Sequence, residues 1–70
     1  MDRKDLIQVK RYNTGELLGY GIEKNNLRIG KWKYFYKNGN LWQLGSYDKE
    51  GRRIASTWNY FEEEAKNLVY

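Results

Sequence analysis

One short unit occurs twice in this chain, and that repeat constrains the fold more than any other feature. Tyr12-Asn13-Thr14-Gly15-Glu16-Leu17 lies over Tyr36-Lys37-Asn38-Gly39-Asn40-Leu41 at a shift of 24, and Gly21 and Gly45 fall at the same shift. Trp32-Lys33-Tyr34-Phe35 matches Trp58-Asn59-Tyr60-Phe61 at a shift of 26. The second copy therefore holds two extra residues, expected around Asp48–Gly51. A fixed period of this length marks a supersecondary unit that buries its apolar face against its neighbours. The period divides the chain into repeat one at about 7–32, repeat two at about 33–58 and a remainder at 59–70.

Each unit has the pattern of a β-hairpin. Trp32, Tyr34 and Tyr36 alternate with Lys31, Lys33 and Lys37, which is the two-residue period of a strand with one buried face. Phe35 breaks that alternation by placing a ring on the lysine side. Asn38-Gly39 is a hairpin-turn signal, because both residues accept positive φ. The return strand is expected from Leu41 to Tyr47, a turn at 48–52, and a further strand from Arg53 to Tyr60 with Trp58 and Tyr60 inward. In the first copy, strands near Ile7–Tyr12 and Leu17–Ile22 flank the Asn13-Thr14-Gly15 turn, and Lys24-Asn25-Asn26 leads on to the Trp32 strand. The tail has two readings. Phe61, Ala65 and Leu68 have helical spacing, and Glu62 with Lys66 forms an i,i+4 pair. The repeat instead favours a third partial unit, with Leu68–Tyr70 as a return strand. The fold class is all-β: antiparallel hairpins in one twisted sheet, with a short C-terminal helix as the alternative for the tail.

Composition shows how such a chain can be stable. Seventy residues make one domain at most, and the chain has no Cys, His or Pro. A chain this short buries only about 60% of its unfolded surface. No disulfide is available, so dense aromatic packing or association with a second chain must compensate. Three Trp, seven Tyr and two Phe suit the first route. No apolar run approaches the roughly 20 residues of a membrane span, and no apolar stretch follows Met1–Asp5 as a signal peptide would need. A cytoplasmic location is the expectation. The net charge of +4 permits an acidic partner without demanding one. Because Glu62, Glu63 and Glu64 cluster together, the first 61 residues are more basic than the average.

The stretch from Gly30 through Lys31-Trp32-Lys33-Tyr34-Phe35-Tyr36-Lys37-Asn38-Gly39-Asn40-Leu41, with Gly45-Ser46-Tyr47, resembles the MORN repeat. It is most similar to the variant in bacterial antitoxins of the YwqK type. The resemblance covers residues 12–61. It departs at Ser56, where the second unit would repeat Gly30, and at Glu62–Glu64, which replace a Tyr and a turn. It implies a single-layer meander of hairpins stacked along one axis. It also implies a binding scaffold for proteins or lipids, with antitoxin or immunity roles among the YwqK-like members and no catalytic residue set. Such a motif specifies a fold far better than a function.

The aromatics divide into two groups. Trp32/Trp58 and Tyr34/Tyr60 recur at equivalent positions, which favours core over a stacking platform for bases. Tyr20, Phe35 and Trp42 lie off that stripe and are expected on the second face, as partner anchors or as packing under a turn. Lys31, Lys33 and Lys37, with Arg28, Arg52 and Arg53 near them, read as a solvated charged face or as a basic binding surface. The candidate partner-binding residues are therefore Tyr20, Lys31, Lys33, Phe35, Lys37, Trp42, Arg52 and Arg53.

The usual chemistry is missing from the pattern. Gly19-Tyr20-Gly21 has no P-loop lysine or following helix. Ser46, Ser56 and Thr57 have no His to activate them. Asp48 and Glu50 have no third ligand. No catalytic residue, metal site or cofactor is expected. The reading that results is a small non-enzymatic module that binds and neutralises or regulates another protein, as an antitoxin, immunity protein or mobile-element inhibitor does. Nucleic acid is the second candidate partner and an anionic membrane surface the least favoured. Homodimerisation would cover open sheet edges.

Overall fold

The computed structural model describes residues 7–63. Five antiparallel strands form one open sheet in sequence order: β1 (Ile7–Arg11), β2 (Leu17–Lys24), β3 (Leu27–Phe35), β4 (Leu41–Tyr47) and β5 (Asn59–Tyr60). Among the described residues the only helical element is a 3₁₀ turn at Ala55–Thr57. No helix there is long and apolar enough to cross a membrane. Both readings of the tail beyond Glu63 lie outside the described residues.

The turns use two geometries. Between Tyr36 and Asn40, the Gly39 N–H donates to the Tyr36 carbonyl (2.9 Å) and the Tyr36 N–H to the Asn40 carbonyl (2.9 Å). This is a three-residue loop in which only Gly39, at φ +94°, is left-handed. The expectation that Asn38 also takes positive φ is corrected. A type I turn followed by one left-handed residue needs glycine at the third position alone. Gly15 and Gly51 occupy the same place in the loops after Tyr12 and Asp48. The second geometry is the tight turn of Asn25 (φ 54°) and Asn26 (φ 69°), so β3 begins at Leu27, directly after it. In the 48–52 loop, Asp48 Oδ1 accepts the N–H groups of Glu50 and Arg52, both at 2.9 Å. Those bonds, that of Arg52 foremost, hold the Asp48 carboxyl below its ordinary range.

The core is an aromatic layer on one face of the sheet. Trp32 is 1% exposed, Tyr34 5%, Gln43 5% and Tyr47 9%, although no second sheet among the described residues covers them. Glycines across the ladder make this possible. A Cβ on Gly21 would lie 2.2 Å from the Trp32 ring, and a Cβ on Gly45 2.2 Å from the Trp58 ring. Each indole thus lies flat on the backbone of the preceding strand. A bulge aims the first: β3 inserts Gly30 and Lys31 between Ile29 and Trp32, while β2 passes directly from Gly21 to Ile22. Each indole N–H then donates to a backbone carbonyl, Trp32 to Ile22 (2.9 Å) and Trp58 to Ser46 (3.0 Å). The rings also contact one another. Tyr34 stacks on Trp32 at 5.8 Å and on Trp58 at 6.2 Å, and Tyr47 meets Trp58 edge-on at 5.3 Å.

The second copy departs from the expected continuous strand. Tyr47 pairs with Arg53 as Glu23 pairs with Arg28, so the 48–52 turn holds one of the two extra residues. The other falls between Ile54 and Trp58, where the 3₁₀ turn replaces the Gly30-Lys31 bulge. Without a glycine at Ser56, the chain leaves the ladder there, and β5 is only two residues long. Tyr60 is 65% exposed rather than inward, although its hydroxyl accepts from Arg53 on the aromatic face.

Two measurements test this core. Gly21→Ala or Gly45→Ala forces the indole off the backbone, an overpacking cost of about 2–3 kcal/mol. The expected fall in Tm is roughly 10–20 °C for a domain of this size. The second concerns Tyr34. Burial pushes its phenol up to about 12, its contacts with Tyr47 add to the shift, and Arg28 opposes it. An unfolded tyrosine titrates near 10, so stability present below about pH 10 is lost as pH rises towards 12. Denaturant titrations across that window are expected to show this loss, and Tyr34→Phe a flatter profile.

Candidate partner-binding face

Among the described residues, nothing is layered on the face opposite the aromatic layer. Strand alternation and register place Val9, Tyr20, Lys33 and Leu44 in one row across β1–β4. Lys31 pairs with Ser46 in the adjacent row. The Tyr20 and Phe35 rings stack at 6.0 Å on this face, beside Lys33. Ile7 (66%), Val9 (52%) and Tyr20 (37%) are exposed. A groove of about 370 Å³ runs between Lys31, Lys33, Leu44, Ser46 and Thr57. A smaller one of about 280 Å³ lies by Leu27, Ile29, Lys24 and Lys49.

Cations occur on both faces, but the strand acid occurs on one. Strands β1–β4 contain a single acid, Glu23. Its carboxylate lies on the aromatic side, 2.9 Å from Lys10 Nζ and 3.8 Å from Arg28 Nε. The open face therefore presents Lys31 and Lys33 with no acid from any of these strands beside them.

Four of the eight sequence-predicted residues come together here: Tyr20, Lys31, Lys33 and Phe35. The other four do not. Trp42 is not on the second face. It is the extra residue of a β4 bulge, because Tyr34 pairs with Gln43 but Phe35 with Leu41. The bulge resets the alternation, and the indole packs on Tyr34 (6.1 Å) and Tyr36 (5.7 Å). Arg53 is also on the aromatic face, its guanidinium 3.9 Å from the Trp58 ring centroid and donating to Gln43 Oε1 at 3.0 Å. Arg28 does the same over Trp32 at 5.0 Å and donates to the Tyr34 hydroxyl at 2.6 Å. Lys37 sits in the β3–β4 turn, 5.5 Å from the Tyr12 ring. Arg52 is held in its own turn by Asp48 (3.4 Å) and Glu50 (3.3 Å).

Val9, Leu44 and Ser46 belong to the face but were not among the predicted residues. Val9 was accessible to strand alternation. Leu44 and Ser46 needed the register with β3. Among the described residues, no group of three or more His, Cys, Asp or Glu gathers as a metal ion would require. Comparison with family models, with curated proteins and with solved structures finds no match to this chain.

Proposed function

We propose that this chain is a MORN-like, non-enzymatic binding module that acts in the cytoplasm. It engages another protein through the open face and neutralises or regulates it, in the manner of an antitoxin, immunity protein or mobile-element inhibitor. One observation carries the reading. The aromatic face is consumed by its own packing, whereas the opposite face leaves Val9, Tyr20, Lys31 and Lys33 exposed with no strand acid beside them. Exposed tyrosine and aliphatic surface flanked by cations has the composition of an interface centre with a polar rim.

A second reading rests on the Tyr20–Phe35 stack beside Lys33. Accessible rings interleaved with lysines also suit single-stranded nucleic acid, whose affinity falls steeply with salt.

The protein reading is tested by affinity capture from the native host. Wild type is expected to recover one specific protein, and Tyr20→Ser/Val9→Ser to lose it with little change in Tm. Recovery of nucleic acid alone, removed by moderate salt, would transfer the assignment to the second reading.

A further inference from the structure

We infer that the row Lys31, Lys33, Phe35 along β3 is a docking track for an extended acidic segment of a partner protein, with carboxylates two residues apart followed by an apolar side chain. This rests on the protein-binding reading and specifies the chemistry of the partner.

Spacing is the first argument. Residues two apart on a strand project from the same face, separated by roughly 6.6 Å. An extended segment with side chains at i, i+2 and i+4 has the same repeat. Acids at the first two positions meet Lys31 and Lys33, and an apolar residue at the third meets Phe35. The surroundings fit each position. Lys31 is opposite Ser46 across the ladder, and Ser46 lines the groove and can donate a hydroxyl to a carboxylate. Lys33 stands between Tyr20 and Leu44, whose apolar walls lower the local dielectric around an ion pair. Phe35 stacks on Tyr20 and pairs with Leu41, making an apolar end to the track.

The second argument is charge. Both lysines are exposed, and neither has an ion-pair partner among the described residues. Arg28 and Arg52, in contrast, are matched to Glu23 and to Asp48 with Glu50. A second copy of this chain fits poorly face to face, because it would oppose lysine with lysine.

The test uses the full chain and three dye-labelled probes in anisotropy titrations at low salt. The first is a short peptide containing Glu-Thr-Glu-Thr-Leu. The second has the same composition with adjacent acids, Glu-Glu-Thr-Thr-Leu. The third is a twelve-nucleotide poly-dT. The alternating peptide is expected to bind about ten-fold tighter than the adjacent-acid one, a difference of 1.4 kcal/mol. Lys31→Glu/Lys33→Glu is expected to abolish that preference at unchanged Tm, and Arg52→Glu to leave it intact. Equal binding of the two peptides, or equal loss with Arg52→Glu, overturns the track in favour of diffuse charge. Poly-dT binding tighter than either peptide and lost in the lysine variant overturns it in favour of nucleic acid. A host protein captured equally well by Lys31→Glu/Lys33→Glu overturns the track but leaves the protein-binding reading standing. An intact peptide preference with no protein captured sustains the track chemistry and counts against that reading alone.

Discussion

The structure depends on an indole lying flat against a glycine. Trp32 on Gly21 and Trp58 on Gly45 bring a large ring to within contact of the neighbouring backbone, a distance any other residue would prevent. Three consequences follow. The indole N–H reaches the Ile22 or Ser46 carbonyl, so the buried nitrogen is satisfied by main chain. The rings lie low enough for Tyr34 and Tyr47 to pack beside them. Their outer faces then receive the guanidinium groups of Arg28 and Arg53. A single sheet normally needs a second layer to bury one face. Here side chains folded flat over glycines supply that layer, which explains how Trp32 is buried in so short a chain.

The first strand does not repeat the aromatic positions of the third. At a shift of 24, Gln8 and Lys10 occupy in β1 the places that Trp32 and Tyr34 occupy in β3. An indole or phenol at those positions would need a preceding glycine strand to lie on. Polar residues need none, and Lys10 instead reaches forward to Glu23. Between units, the Tyr12 hydroxyl donates to the Phe35 carbonyl at 2.7 Å and the Tyr36 hydroxyl to that of Phe61 at 2.8 Å. Each turn tyrosine thus ties its hairpin to the next strand.

Much of this was legible in the sequence, because the period and the alternation record backbone geometry directly. The all-β class, the single open sheet and the bounds of β4 all follow from turn residues and two-residue spacing. What escaped depended on irregularity. A bulge shifts alternation by one, so Trp42 left the face its parity assigned to it, as did its counterpart Leu18, which also packs on the core. The loss of Gly30's equivalent at Ser56 replaced a strand with a 3₁₀ turn, and a two-residue repeat mismatch cannot say how the extra residues divide about Ile54. The arginines escaped for a different reason. Their sequence spacing to Trp32 and Trp58 differs by one residue between copies, so the equivalence of Arg28 and Arg53 emerges only once the ladder aligns them.

The cations therefore divide by chemistry as well as by position. Arg28 and Arg53 stack on rings and donate to Tyr34, Gln43 and Tyr60, tasks that a planar, weakly hydrated guanidinium performs and a compact ammonium does not. Lys31 and Lys33 keep their hydration on the opposite face. The overall charge of +4 consequently misdescribes what a partner would meet. On the aromatic side, arginine charge lies over ring faces, and that of Arg28 is shared with Glu23. On the other side it is concentrated in lysines without a neighbouring strand acid. A sheet whose fold uses one face leaves the other free to vary, and Lys31 and Lys33 on that free face, unlike Lys10 and Arg28, have no strand acid beside them.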